Sequence, residues 1–223
     1  MEKYAYATLI TDKFYLEGAK ALDKRLKFLN SNYPLIVMVT NNIYHSIANE
    51  MEDLNVEVVP YFTLPKVEHY FKDTVNKFAA FLLKDYDKII FLDADLFPIQ
   101  HFDDNFDYEF DTLQCFTRSA TDDHIHGGLF ILKPRESEYY NILKLVREIH
   151  FENDEEILEY LYGTTKFNNY RPCEFKHYGG RMKYWCFPDY DSEKIVSADA
   201  IFINSFFEYV NTYIKNGEKG GEG

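Results

Sequence analysis

A chain of 223 residues, 46% hydrophobic and 27% charged, is long enough to bury one sizeable core and has the composition of a soluble globular protein. Its net charge of −13 offers nucleic-acid phosphates no positive face, which excludes nonspecific binding to DNA or RNA but leaves room for a single nucleotide held by local cations or a metal. Cys115, Cys173 and Cys186 cannot all pair and have no C-x-x-C spacing, which gives no zinc framework. With no cleavable signal at the start and no apolar run near the roughly 20 residues of a membrane span, a cytoplasmic protein is expected.

Residues 4–11 read as a first strand. A helix follows, with Leu16, Ala19, Leu22, Leu26 and Leu29 at helical spacing, and Asn30-Ser31-Asn32 breaks it. Leu35-Ile36-Val37-Met38-Val39-Thr40 is a second strand. A polar helix over 42–53 leads to a third strand over 56–62. Asp73-Thr74 marks the start of a helix that runs through Leu83. The run Lys88-Ile89-Ile90-Phe91-Leu92 then reads as a strand buried on both faces. Strands alternating with helices imply an α/β fold with a mostly parallel central sheet flanked by helices.

The second half is less regular. Gly127-Gly128-Leu129-Phe130-Ile131-Leu132 is a short apolar strand, Pro134 opens a helix to about His150, and 154–162 is another helix. Asp122-Asp123-His124-Ile125-His126 reads as a loop in which His126 faces the substrate. Aromatic-rich loops fill 167–190, and a last amphipathic helix covers 199–215. The tail over 216–223 has no apolar residue and is expected to be disordered, like the start of a linker in a longer polypeptide. The domain therefore spans 1–215. The 19 Tyr and 20 Phe suit either an aromatic-rich core or surfaces that stack on sugars and bases.

Asp93-Ala94-Asp95 ends the buried strand with two carboxylates, at the strand terminus where open α/β sheets bind ligands. Carboxylate oxygens suit a hard divalent cation shared with a substrate phosphate. Alone, this D-x-D also fits polar residues that merely end a strand.

Three patterns, in order along the chain, resemble the glycogenin-like family 8 glycosyltransferases. They are Ala5-Tyr6-Ala7-Thr8-Leu9-Ile10-Thr11-Asp12 running on to Tyr15, Gly18 and Ala19; the D-x-D after a long helix; and His177-Tyr178-Gly179-Gly180-Arg181-Met182-Lys183-Tyr184-Trp185. The resemblance implies a single Rossmann-like GT-A domain that moves a hexose from a UDP-sugar to a hydroxyl acceptor with retention of configuration. It makes Asp93, Asp95 and His177 ligands of Mn²⁺, with Mg²⁺ as the alternative; an imidazole among carboxylates favours the transition metal. Leu9 and Tyr15 would sandwich uracil, and Thr8, Thr11 and Asp12 would give polar contacts to base or ribose. Ala94 would line the donor. Gly180 would let backbone approach the diphosphate, with Lys183 placing a positive charge on it. Lys77 would reach the donor phosphate or sugar.

Asp154, Glu155 and His126 fall where the family faces the sugar and its anomeric carbon. Here the chain departs from the pattern: His126 and Gly127 replace Asn and Ser, and Glu155 replaces Gln. Those changes keep a catalytically inactive nucleotide-sugar-binding module as a competing expectation. A haloacid-dehalogenase-like phosphatase, which also places D-x-D after an apolar strand, is the third. The acceptor, whether glycan, protein or small molecule, is not legible in the sequence.

Overall fold

The computed structural model describes residues 2–67, 70–98, 101–119, 122–163 and 175–177. The expected helix over 199–215, the 216–223 tail, Cys173, Cys186, Gly180 and Lys183 lie outside the described residues. So do the aromatic-rich loops over 167–190, apart from 175–177.

The frame is a six-stranded sheet in the order β3-β2-β1-β4-β7-β6. Its strands are β1 (Tyr4–Ile10), β2 (Leu35–Thr40), β3 (Asn55–Val59), β4 (Lys88–Leu92), β6 (Leu113–Ser119) and β7 (Asp122–Leu132). β1 pairs in parallel with both β2 and β4, and β2 in parallel with β3. β7 runs antiparallel to β4 and to β6. A second sheet pairs β5 (Leu96–Pro98) with β8 (Phe175–His177) in antiparallel fashion.

Each central strand buries both faces, so its side chains divide by parity between two cores. On one face Ala5, Ala7, Met38, Ile89, Phe91, Phe130 and Leu132 pack under three helices: Tyr70–Leu82, α3 (Glu136–Glu148) and α4 (Asp154–Tyr162). Phe91 and Phe130 stack with ring centroids 4.8 Å apart across the β4–β7 register, an arrangement worth roughly 0.5–1.5 kcal/mol beyond the area it buries. On the other face Tyr6, Ile10, Val37, Val39, Ile90, Leu92 and Ile131 meet Leu16, Ala19, Leu22 and Leu26 of α1 (Leu16–Phe28). These are four of the five residues whose helical spacing marks the helix in the sequence; the fifth, Leu29, is its C-cap.

α1 ends where the sequence breaks it, and the mechanism is visible. Asn30 takes a left-handed backbone, φ 55°, while its N–H donates to the Lys27 carbonyl and that of Ser31 to the Leu26 carbonyl. This is the Schellman closure that satisfies the orphaned carbonyls of a last helical turn.

Four elements differ from the sequence reading. The polar helix expected over 42–53 is only α2 (Tyr44–Ile47) and a 3-10 turn, Ala48–Glu50, because Ile47 and Met51 are its only fully buried apolar side chains. The third strand ends at Val59 rather than at 62. The helix before β4 starts earlier, at Tyr70, and is wound as a 3-10 helix over its whole length. The expected loop 122–126 is the first half of β7, in a hairpin with β6, a strand that the sequence reading does not contain.

Candidate functional site

The site grows from the C-terminal end of β4. Asp93 donates its N–H to the Gly128 carbonyl of β7 and accepts at its own carbonyl from the Leu96 N–H, both at 2.9 Å. The second bond closes a four-residue turn, Asp93-Ala94-Asp95-Leu96, so the two carboxylates sit at its first and third positions. Asp93 and Asp95 are both partly exposed. The strand that follows pairs with β8 in a register that sets Leu96 opposite His177. The backbone of His177 therefore lies beside the residue that follows Asp95. The His177 side chain is outside the described residues, and no cluster of three metal-ligating side chains occurs among those described. The two carboxylates supply oxygen donors of the kind that suit a divalent cation.

Beneath Asp93 lies a buried ionic hub. The Lys77 ammonium donates to Asp154 Oδ2 at 2.7 Å and to the Gly127 carbonyl at 2.8 Å, and it stands 3.2 Å from Asp93 Oδ1. The side chains of Lys77 and Asp154 are 4% and 6% exposed, against 32% for Asp93. Burial alone would push the lysine toward neutrality, but the carboxylates of Asp154 and Asp93 outweigh it and hold its pKa above the ordinary value. For Asp154, burial is likewise outweighed by Lys77, and its carboxyl is held below the usual range. Both groups are charged, and each is paired. Lys77 thus reaches the D-x-D from below, where the sequence reading expected it to reach toward the donor.

α4 presses its first turn against β7 at Gly127. A Cβ there would fall 2.3 Å from Asp154 Oδ2 and 2.8 Å from Glu155 Cγ, so the absence of a side chain is what permits the approach. The Gly127 N–H donates to Glu155 Oε1 at 3.1 Å. Asn153 caps α4, its side-chain oxygen accepting from the Glu156 N–H at 3.0 Å. Asp154 and Glu155 thereby both lie against β7 at Gly127, and Asp154 is linked through Lys77 to Asp93. The backbone of His126 adjoins them in β7, and its side chain lies outside the described residues.

The first loop is less uniform. Leu9 is half-buried against the core beneath Tyr70–Leu82, and Tyr15 against the opposite core beside α1. Asp12 is exposed and Thr11 half-buried. The Asp12 carbonyl accepts from the Tyr15 N–H at 3.0 Å, closing the turn between them. Thr8 is fully buried, and its hydroxyl has no hydrogen-bond partner among the described residues. Ala94 is buried against α1: a Cβ at Gly18 would come within 2.3 Å of the Ala94 carbonyl oxygen. Gly18 gains from this contact a role that the opening sequence pattern alone does not assign. No helix among the described residues is long and apolar enough to cross a membrane.

Comparison with known proteins agrees with this fold. A family model described as "Mannosyltransferase putative" matches residues 7–122. UDP-glucuronate:xylan alpha-glucuronosyltransferase 1 of Arabidopsis thaliana is 28% identical over 160 residues, which cover 68% of this chain and 23% of that protein. Glycogenin-1 of Homo sapiens is 28% identical over 158 residues, covering 66% of this chain and 44% of that protein. The chain thus spans less than half the length of either relative. Among solved structures, an active-site mutant of LgtC superposes with a TM-score of 0.59 at 12% identity, covering 90% of this chain and 95% of that one. The glycosyltransferase GlyE of Streptococcus pneumoniae superposes with a TM-score of 0.51 at 17% identity, covering 74% and 45%. The chain belongs to the mannosyltransferase family of that matching model, and it has the GT-A fold of the glycogenin-like glycosyltransferases.

Proposed function

We propose that this chain is the catalytic unit of a retaining glycosyltransferase that moves a hexose from a UDP-sugar to a hydroxyl acceptor. The observation that carries the reading is the D-x-D turn: two partly exposed carboxylates at the end of β4, with the backbone of His177 in register opposite Leu96, the next residue. Asp93, Asp95 and His177 would hold Mn²⁺, or Mg²⁺ in its place. Such a cation, when bound, neutralises the charge that develops on the departing diphosphate.

The chain's own residues do the rest. Leu9 and Tyr15 flank the uracil, with Thr11 and Asp12 at the polar edge of base and ribose. Thr8 supports that loop from within the core. Ala94 lines the donor between the carboxylates, and Gly180 and Lys183 meet the diphosphate. Lys77 holds Asp93 and Asp154 in place from below. Asp154, Glu155 and His126 border the sugar. The bond from the anomeric carbon to the UDP oxygen breaks, the acceptor oxygen bonds to that carbon, and the acceptor proton passes to the diphosphate. The free thiol of Cys115 suits the reducing cytoplasm as the setting.

One observation favours a second reading, a nucleotide-sugar-binding module without turnover: Asp154 is sealed in its ion pair with Lys77. Turnover separates the two. UDP-glucose, UDP-galactose and UDP-glucuronate are incubated with the protein and Mn²⁺, and release of UDP is followed with and without acceptor sugars. Activity is expected to vanish in EDTA and return best with Mn²⁺. Asp95→Asn should lower turnover by about 10²–10³-fold, the usual effect of losing one key electrostatic stabiliser. Full activity in EDTA would remove the metal from the mechanism, and tight metal-dependent UDP binding without turnover would favour the binding module.

A further inference from the structure

Arg25 is wholly buried, at 0% exposure, on a helix face otherwise made of Leu22, Leu26 and Ala19. An arginine in such a place carries a large desolvation cost unless its bonds serve the fold or the site. Its Nε–H donates to the carbonyl of Pro98 at 2.8 Å, and its guanidinium lies 5.2 Å from the Phe28 ring centroid. Pro98 is the last residue of β5, the strand that leaves the D-x-D turn and pairs with β8.

The same helix touches the other end of that segment. Gly18 packs so closely on Ala94 that a Cβ would strike its carbonyl oxygen. Gly18 and Arg25 are seven residues apart, about two helical turns and about 10.5 Å along α1, and they fall on nearly the same side of it. Ala94 and Pro98 are four residues apart, Ala94 inside the turn that opens the segment and Pro98 at the end of β5. The two contacts, Gly18 with Ala94 and Arg25 with Pro98, follow the same order along both segments. α1 is thus a rail along which residues 94–98 lie, fastened at one end by a missing side chain and at the other by a buried guanidinium. Beyond the rail, β5 carries the register Leu96↔His177, Phe97↔Lys176 and Pro98↔Phe175.

We propose that Arg25 is a positioning residue for the metal half of the site. It touches neither donor nor metal; it fixes the end of β5 so that β8 pairs in the register that sets the backbone of His177 opposite Leu96, the residue after Asp95. The inference rests on the metal reading given above. It also assigns α1 a task, because the helix begins directly after Tyr15 and so links the nucleotide loop to the strand bearing the third ligand.

The test compares Arg25→Lys, which keeps the charge but loses the Nε–H, with Gly18→Ala and the unaltered chain. Mn²⁺ affinity is read from the electron paramagnetic resonance signal of free Mn²⁺ in the presence of UDP, uridine affinity is read by calorimetry without metal, and folding by thermal melting. Arg25→Lys should melt as one cooperative transition, bind uridine as before, and bind Mn²⁺ about 10–100-fold more weakly, the range for losing a residue that orients metal ligands. Gly18→Ala should weaken Mn²⁺ in the same sense. Unchanged Mn²⁺ affinity in folded Arg25→Lys overturns the inference and leaves the metal reading standing. Equal losses for Mn²⁺ and uridine also overturn it, by making Arg25 a general support of the fold. No Mn²⁺ binding by the unaltered chain overturns the metal reading, and this inference with it.

Discussion

Lys77 and Asp154 form an ion pair of 2.7 Å between helix Tyr70–Leu82 and the first residue of α4, with both side chains all but sealed from solvent. The same ammonium stands 3.2 Å from Asp93. One buried cation therefore ties together the helix before β4, the D-x-D at the end of β4, and α4, which packs on the same face of the sheet. A pair of this kind adds little net stability compared with well-packed apolar residues, but removing one partner strands the other.

Lys77→Met is accordingly expected to cost about 3–5 kcal/mol, since it leaves Asp154 buried and uncompensated. Urea unfolding followed by circular dichroism measures this. The double variant Lys77→Met/Asp154→Leu should recover most of the loss while impairing metal-dependent UDP binding. A single variant as stable as the unaltered chain would mean that the pair is not held as described.

Gly127 sets how closely α4 approaches β7. Gly127→Ala brings a methyl group within 2.3 Å of Asp154 Oδ2 and 2.8 Å of Glu155 Cγ, and Asp154 is held in place by its ion pair with Lys77. The expected cost is about 1–3 kcal/mol, typical of overpacking in a filled interior. It should appear as a lower melting temperature together with weaker donor binding. A melting temperature equal to that of the unaltered chain would show that the first turn of α4 moves aside freely.

How much of this was legible in the sequence depends on where each residue finds its partners. β1, β2 and β4 announce themselves as continuous apolar runs because both their faces are buried. α1 does so because its inner face repeats Leu and Ala at helical spacing. β6 and the first half of β7 are invisible, since Gln114, Thr117 and Arg118 interrupt one strand and Asp122 to His124 the other, so pairing rather than composition makes them strands. Ion-paired Lys77 looks like any solvated helix lysine, because its strongest partner is 77 residues away along the chain. Arg25 is hidden the same way, its acceptor being a backbone carbonyl 73 residues on. The opening pattern, the D-x-D and the stretch from His177 carried the family resemblance, because each is a run of neighbouring residues that can be read along the chain.

Cys115 offers a probe of core integrity. Its thiol is buried in β6, and burial together with the nearby charges of Asp154 and Glu159 pushes its pKa up. Because the thiolate is the reactive species, native Cys115 should be alkylated by iodoacetamide at neutral pH far more slowly than in urea. Peptide mapping by mass spectrometry reads this cysteine separately from the other two. Rapid native labelling at Cys115 would show that the β6 edge opens.

Glu155 decides the stereochemical question. A retaining transfer needs no strong base opposite the leaving group, whereas an inverting one needs a carboxylate or histidine within hydrogen-bond reach of the acceptor proton. Glu155 stands where the family pattern has a neutral amide, so it is the position at which a base could have been introduced. Its Oε1, however, accepts from the Gly127 N–H at 3.1 Å, which turns that oxygen toward β7. Glutamine keeps a carbonyl oxygen for this bond and removes only the charge. Glu155→Gln should therefore fold normally, shift the preference among UDP-sugars and keep measurable turnover, with the first-formed product retaining the donor's anomeric configuration by NMR. An inverted product from the unaltered enzyme, with Glu155→Gln inactive, would instead make Glu155 the base that deprotonates the acceptor.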